Sequence, residues 1–218
     1  MNRYFPELDK KVCIVGAGGF GRETLTIWAD LLDRTGHRLK DVTIFMVDDA
    51  HYSAKEILGV PVVPRSEFDP SRYQVVVGVG DPLERRKIVE SLPEETHYTK
   101  LVHPTAVVSR WVEIGDGAII TAGCILTCDI QIGRHFHFNL HATLGHDCRV
   151  GDFFTAAPAV NISGKCTFGE NVYLGTNASL KQGLSICDNV TIGMGAVVVK
   201  DIVEPGTYIG NPLRKLER

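Results

Sequence analysis

The sequence predicts two domains: a small α/β domain with a parallel sheet over residues 1–101, and a three-sided parallel β-helix over residues 102–218. Two observations support this division. Strand-like and helix-like segments alternate as far as residue 101, as in α/β domains. From residue 102 onward the apolar residues recur with an unbroken period of six, which is the mark of a repeat architecture. Because 44% of the 218 residues are hydrophobic, the chain can form both cores.

Composition limits the class of protein. The net charge is −3, with charges of both signs mixed along the chain, so no basic surface for nucleic acid is expected. No apolar run reaches the roughly 18 residues of a membrane span, and the N-terminus lacks the apolar segment of a secretory signal. Six cysteines lie scattered without zinc-binding or disulfide spacing. We therefore expect a soluble cytoplasmic protein with reduced thiols and no membrane insertion.

The α/β domain is predicted from a short series of segments. Strands are expected over residues 11–15 (KVCIV), 42–47 (VTIFMV), 60–63 (VPVV) and 74–80 (QVVVGVG), with helices in RETLTIWADLLDR and PLERRKIVESL. This is enough for one Rossmann-like nucleotide-binding half and too little for a complete dinucleotide domain. Ligands of such sheets bind at the carboxyl ends of the strands.

A glycine motif, GAGGFG, joins the first strand to the first helix. Gly16 is expected to form the tight turn, and Gly18 to allow close approach of a ligand to the backbone. The helix N-terminus that follows favours a phosphate or carboxylate, and Asp48, at the end of the second strand, is placed to bind a ribose or a nucleobase. Two alternatives remain: an NAD site, and a structural glycine turn without ligand.

The second domain divides into seventeen consecutive hexads, from Val102 to Val203, without insertion. The first and fifth positions are apolar throughout, and the fourth is Gly, Asn or Asp in ten of the seventeen. A chain that turns a corner every six residues explains this pattern, with a bend of positive φ at position four. Three hexads, one for each side, close a coil, and stacked coils bury a continuous core.

His146 does not fit a structural position in the repeat. It occupies hexad position three, where the pattern gives no reason for an imidazole, and Asp147 follows it directly. Positions three hexads apart stack in a three-sided coil, so Cys128, His146 and Gly164 should form one column. Gly164 places no side chain against the imidazole and leaves a backbone N–H to face a ligand. The geometry therefore predicts an imidazole next to an unobstructed backbone amide.

These motifs together resemble a known family. The unbroken hexads are similar to the left-handed parallel β-helix of the hexapeptide acyltransferases. GAGGFG, VDD, VGVGD, HPTAVVS, LGHDC and GNPLRKL resemble the sialic acid O-acetyltransferases and the N-acetyltransferases of nucleotide-linked 4-amino-6-deoxy sugars (the NeuD/PglD-like branch). The resemblance covers the chain from Lys11 onward. It implies left-handed coils, acetyl-CoA as co-substrate without a metal, and a role in bacterial surface glycan biosynthesis.

The resemblance also implies site residues. His146 would act as general base, Asp147 would orient it, and the Gly164 amide would polarise the thioester carbonyl. The predicted coenzyme A contacts are Thr155, Gly164, Thr176 and Met194, and the predicted sugar nucleotide contacts are Gly18, Gly19, Phe20, Asp48, Asp49, Gly80 and Asn139. Phe20 departs from the small polar or His residue of the best-defined N-acetyltransferases, and Thr155 departs from a histidine in close relatives. Thr176 and Met194 lie on a different edge from His146, so a homotrimer with shared sites is expected.

Other functions stay open at this point. Acetyl transfer to a sialic acid or polysaccharide hydroxyl is the nearest alternative, and a non-catalytic nucleotide-binding scaffold is a more distant one. His141 and His146 also fit the H-x4-H of the gamma-class carbonic anhydrases, but the position of the third zinc ligand holds Thr105. His135 and His141 fall at hexad position four, where histidine is a common turn residue.

Overall fold

A computed structural model of the protein describes residues 4–33 and 35–217. The chain forms two compact units. The first comprises residues up to 80 together with 84–104 and 116–119, and the second comprises 81–83, 105–115 and the chain from 120 onward. Among the described helices, none combines the length and the apolar character needed to traverse a lipid bilayer.

The first unit contains a five-stranded sheet of order β3-β4-β2-β1-β5, in which only the β3–β4 pair is antiparallel. Its strands are β1 (Lys11–Val15), β2 (Thr43–Val47), β3 (Glu56–Ile57), β4 (Val60–Pro64) and β5 (Tyr73–Val77). The helices are α1 (Gly19–Leu32), α2 (Leu39–Val42) and α3 (Pro82–Ser91), with 3-10 turns at Asp49–His51, Arg65–Glu67 and Pro70–Arg72. The four predicted strands and both predicted helices are therefore present, although the strand predicted over residues 74–80 ends at Val77 and the one predicted from residue 42 begins at Thr43.

Close backbone approach fixes the start of α1, which begins inside the glycine motif. Gly16 has φ +91°, as its predicted turn requires. A Cβ on Gly21 would lie 2.0 Å from the Gly16 carbonyl oxygen, and a Cβ on Gly78 would lie 2.7 Å from the Gly21 Cα. The helix therefore leaves the sheet at a distance that only glycine permits.

Helix α1 buries one face on the sheet. Leu25, Trp28 and Leu32 lie in a core with Ile14 and Phe45. The Trp28 indole N–H donates a 2.8 Å hydrogen bond to the Thr43 hydroxyl, so the one polar atom of this buried ring has a partner. The packing holds the carboxyl ends of β1 and β2 at the glycine motif.

The second unit is a parallel β-helix with three faces. Face one contains β7 (Val107–Val108), β10 (Ile125–Leu126), β13 (Thr143–Leu144), β16 (Asn161–Ile162), β19 (Ser179–Leu180) and β22 (Val197–Val198). Face two contains β8 (Val112–Ile114), β11 (Ile130–Ile132), β14 (Arg149–Val150), β17 (Thr167–Phe168) and β20 (Ser185–Ile186). Face three contains β12 (His137–Phe138), β15 (Thr155–Ala156), β18 (Tyr173–Leu174), β21 (Val190–Ile192), β23 (Gly206–Ile209) and the antiparallel β24 (Arg214–Lys215); β6 (Leu101–Val102) and β9 (Ile119–Ile120) precede them along the chain.

The predicted hexad geometry is confirmed. Strands pair with partners three hexads later along the chain, as in Ile125 with Thr143. Every sixth residue from Gly117 to Gly195 has positive φ, including Phe153 and Lys165, which rarely adopt it. First-position and fifth-position side chains fill the prism, and Leu126, Phe138 and Leu174 are almost fully buried there. The corner conformation therefore follows from the repeat and not from the residue type.

Three of the cysteines lie buried where the repeat predicts. Cys124, Cys148 and Cys166 are buried at the fifth position, and all six cysteines of the chain are free thiols. Burial raises the pKa of the Cys124 thiol to about 11. Because the thiolate is the reactive form, this residue is an inert core group.

Candidate active site

The corner between faces one and two carries the predicted base. Strand β13 leads into Gly145, and the chain turns at Asp147, whose φ is +60°. Leu144 and Cys148, on either side of the corner, point inward and are buried. His146 lies between them and points outward, with 46% of its side chain exposed. The imidazole therefore lies outside the prism, where a substrate can reach it.

Asp147 holds the imidazole. Its Oδ2 lies 2.7 Å from His146 Nδ1. This hydrogen bond is the main cause that lowers the pKa of the Asp147 carboxyl, and the charges of His146 and Lys165 lower it further. Asp147 is therefore a carboxylate at neutral pH and accepts the Nδ1 proton, which leaves the Nε2 lone pair free to accept another.

Gly164 lies directly against this ring. The Lys165 N–H donates a 2.7 Å hydrogen bond to the His146 carbonyl, which stacks the two coils. A Cβ on Gly164 would lie 2.7 Å from His146 Nε2. The predicted column of Cys128, His146 and Gly164 is thus formed, and Cys128 is exposed.

The Gly164 amide is available to a ligand. Within the described residues its N–H donates to no backbone carbonyl. Gly145 lies over it, because a Cβ on Gly145 would be 2.5 Å from the Gly164 nitrogen. Two glycines therefore leave the amide unobstructed beside a potential base, which is the arrangement needed to stabilise negative charge on a carbonyl oxygen.

Charged residues that the sequence reasoning missed surround the corner. Asp129 and Lys165 occupy the same corner position as Asp147, one coil before it and one coil after it. Arg149 donates to the Asp129 carbonyl at 2.8 Å and to its carboxylate at 3.0 Å. The register of the coils alone could have identified this column of two acidic residues and one basic residue.

The residues predicted to contact coenzyme A lie on two different corners of the β-helix. Thr176 and Met194 stack on the corner between faces three and one, where the Gly195 N–H donates to the Thr176 carbonyl at 2.8 Å. Met194 is 80% exposed, whereas Thr155, on face three, is buried. Within one chain these residues do not meet Gly164, so their shared role stays a prediction.

Asn139 lies on the same corner as Thr176. Its side-chain oxygen accepts a 2.7 Å hydrogen bond from the Leu140 N–H and is 3.5 Å from the Thr121 hydroxyl. These bonds fix the amide locally, and its predicted part in positioning His146 or substrate remains untested.

Two other histidines of the hexads, His135 and His141, are turn residues. His135 and His141 have φ of +55° and +58°, and His135 is buried against Phe153 with ring centroids 5.0 Å apart. Over the described residues, no group of three or more His, Cys, Asp or Glu side chains is placed to hold a metal ion.

The first unit has a cavity of about 410 Å³ at the carboxyl ends of β1 and β2. Of the residues predicted to contact the sugar nucleotide, Gly18 and Asp48 line it, whereas Gly19, Phe20, Asp49 and Gly80 are not among its described lining residues. Phe20 instead packs on the core of this unit. Asp49 accepts hydrogen bonds from the Ser66 N–H and hydroxyl, which lower the pKa of its carboxyl.

Arg65 is the main cavity residue that the sequence did not indicate. It follows β4 directly, and its Nη1 lies 3.6 Å from Asp48 Oδ1. Its Nη2 donates to the Ser91 carbonyl at the end of α3. His51 and Ser53 also line the cavity. Its position as a charged residue directly after a predicted strand is the sequence feature that could have identified it as a cavity residue.

Comparisons with known proteins agree with both halves of the chain. Residues 11–92 match the PglD N-terminal domain family. The chain is 33% identical to GDP-perosamine N-acetyltransferase of Escherichia coli O157:H7, over 94% of this chain and 96% of that protein.

Two solved structures are similar over both units. One is the acetyltransferase domain of PglB from Neisseria gonorrhoeae in complex with acetyl coenzyme A (TM-score 0.83, 28% identity, 95% of this chain and 100% of that one). The other is PerB from Caulobacter crescentus in complex with CoA and GDP-perosamine (TM-score 0.82, 28% identity, 95% and 97%). The fold is therefore the small α/β domain followed by a left-handed parallel β-helix.

Proposed function

This chain belongs to the PglD-like family of hexapeptide-repeat sugar acetyltransferases, and from that premise we propose that it transfers the acetyl group of acetyl-CoA to the amine of a nucleotide-linked 4-amino-6-deoxy sugar. The observation that carries the proposal is the outward His146–Asp147 pair directly beside the open Gly164 amide. The names of the relatives support an amine acceptor and acetyl-CoA as donor.

His146 performs the proton transfer in this mechanism. The neutral sugar amine attacks the thioester carbonyl carbon, and Nε2 accepts the proton that the nitrogen loses as the C–N bond forms. Asp147 stabilises the resulting imidazolium through its 2.7 Å contact at Nδ1. When the C–S bond breaks, the imidazolium returns the proton to the thiolate of CoA. A positioned base of this kind contributes about 10²–10⁴-fold in rate.

The Gly164 N–H stabilises the oxygen that becomes negative during attack. A backbone donor is rigid and needs no reorganisation at the moment of reaction. Because Gly145 and Gly164 carry no side chains, the acetyl group can lie beside both this amide and the imidazole. No covalent acyl-enzyme is required, because a thioester is already activated.

We assign the sugar nucleotide to the α/β unit and coenzyme A to the coils. The α/β cavity takes the sugar nucleotide, with the diphosphate at the N-terminus of α1, where Gly18 and Gly19 leave open space. Coenzyme A lies along the coils past Gly164, Thr176 and Met194, with Thr155 near its path. We place the reaction in the cytoplasm, in the synthesis of a bacterial surface glycan.

A homotrimer accounts for the division of site residues between two corners. Face one lies between those corners and exposes apolar side chains, among them Val107, Ile125 and, at its edges, Trp111 and Leu140. Exposed apolar patches of this kind mark protein interfaces. When face one packs on a second copy, the Met194 corner of one subunit meets the His146 corner of the next. The site is then shared between subunits.

The experiment that tests the proposal compares acceptors with acetyl-CoA as donor. Nucleotide-linked 4-amino-6-deoxy sugars should be acetylated, with free CoA released in equal amount, and free sialic acid should not. His146→Asn should lower kcat by about 10²–10⁴-fold with the fold intact. A wild-type protein that acetylates only hydroxyl groups would refute amine transfer, and a full-rate His146→Asn variant would refute the assigned base.

A further inference from the structure

The cavity of the α/β unit places one acidic and one basic side chain at the ends of neighbouring strands. Asp48 follows β2 and Arg65 follows β4, and the two strands pair in parallel. We propose that this pair selects guanine as the base of the sugar nucleotide. The inference rests on the proposed function for the use of the cavity and adds the identity of the nucleotide.

Asp48 has more hydrogen-bonding capacity to spare than its neighbour. The Asp49 carboxylate already accepts the Ser66 N–H and hydroxyl. Asp48 Oδ1 is 3.6 Å from Arg65 Nη1, which is longer than a hydrogen bond. Each partner can therefore still bond the edge of a ligand that lies across both side chains.

Arg65 is held in place for such a ligand. Its Nη2 donates to the Ser91 carbonyl, and only about a third of its side chain is exposed. The remaining N–H groups stay available at the cavity. A fixed guanidinium loses less conformational entropy on binding than a free one.

The walls of the cavity suit a planar ring. Met46, Val47, Ile57, Val62 and Leu92 provide apolar surface, and the volume of about 410 Å³ is in the range of small-molecule sites. A ribose would gain little from these walls and nothing from a cation. A nucleobase with a carbonyl acceptor uses both.

The bases differ in the order of hydrogen-bond donors and acceptors along their edges, and this order decides which base fits Asp48 and Arg65. Guanine presents the acceptor O6 followed by the donors N1–H and N2–H₂, so O6 accepts from Arg65 while both Asp48 oxygens accept donors. Uracil and thymine offer only one donor, N3–H. Their O2 acceptor would then face the second carboxylate oxygen of Asp48, which is also an acceptor. Cytosine and adenine place an amino group where Arg65 needs an acceptor. Guanine alone satisfies both side chains.

Calorimetric titration of the full chain with nucleoside diphosphates tests the inference without requiring turnover. GDP should bind more tightly than IDP, which lacks only the 2-amino group, by roughly 10- to 100-fold, since one hydrogen bond to a charged group is lost. UDP, dTDP and ADP should bind more weakly still. Equal affinity for GDP and IDP, or tighter binding of any other diphosphate than of GDP, would overturn the inference.

Two variants test whether Asp48 is the residue that selects guanine. Asp48→Asn should bring GDP and IDP to within roughly threefold of each other. Asp41→Asn, an exposed acid paired with Arg38, is the matched control and should keep the wild-type ratio. An Asp48→Asn protein that folds and keeps the full ratio would overturn the assignment to Asp48. If no nucleotide sugar is acetylated, the proposed function fails, whereas the ratio of GDP to IDP affinity still tests the base.

Discussion

Adding a single methyl group at Gly164 should separate catalysis from folding. In Gly164→Ala the new Cβ would lie 2.7 Å from both Cε1 and Nε2 of His146, and 2.9 Å from Cδ2. Ordinary contact begins at 3.4 Å, so the ring must move by about 0.7 Å. The backbone at Gly164 is fixed between stacked coils, and the exposed imidazole therefore gives way.

The expected cost follows from that displacement. A shift of about 1 Å in a catalytic group costs about 10²-fold, so kcat should fall by roughly 10- to 100-fold. The KM for the sugar nucleotide should stay near the wild-type value, because the α/β cavity is untouched. Initial rates of CoA release at saturating sugar nucleotide measure kcat, and thermal unfolding reports the fold.

Gly183→Ala is the matched control on the same corner of the helix. Its φ is +80° and a Cβ there would meet nothing within 4 Å. It should lose some stability through its positive φ and keep its kcat, as Ala159 adopts φ +58° at an equivalent corner. A Gly164→Ala protein with kcat within twofold of wild type would refute the close contact between this glycine and the base.

Three further predictions use other parts of the structure. A hydrogen bond to His146 lowers the pKa of Asp147 in the folded state. The ionised Asp147 therefore stabilises the fold above the unfolded pKa of about 3.9, and this stabilisation is lost as the pH falls through the lower folded pKa. The unfolding free energies of wild type and Asp147→Asn, measured in urea, should therefore converge below about pH 4; a constant difference would contradict this. Leu144→Ala removes an almost fully buried side chain of the prism and should lower the unfolding free energy by about 2–5 kcal/mol, and a loss under about 1 kcal/mol would contradict its core position. Trp111→Glu places a charge on the apolar edge of face one, so sedimentation velocity should show monomers, and the activity should fall. The control variant Asp201→Asn should remain trimeric. A fully trimeric Trp111→Glu protein would argue against this interface.

The β-helix could be predicted almost residue by residue because its constraints are local and periodic. Which side chains point inward, which positions turn and that His146 faces outward all follow from a count of six. The contact between His146 and Gly164 follows from a count of three hexads. Burial of the outward-facing Thr155 does not follow, because the repeat says nothing about what covers a face.

The α/β unit was predictable in its strands and less so in its cavity. The β3–β4 hairpin turns at Leu58 and Gly59, and the φ of +51° at Leu58 is rare for leucine, so the hairpin was not predicted. Phe20 stands in the glycine motif yet packs on the core, since side chains on the first turn of a helix face either the sheet or the ligand. Arg65 lies beside Asp48 only because β4 pairs with β2, which sequence order does not specify.

The regular stacking of the coils has a consequence for how such a chain can change in length. Deleting one residue between His146 and Gly164 would rotate every later corner by a fraction of a side and carry apolar residues into water. Removing three complete hexads keeps the register, so the prism can lengthen or shorten only by whole coils. Evolution, or a protein engineer, can therefore adjust the span available to a long acyl donor in steps of about 4.8 Å and in no smaller increment.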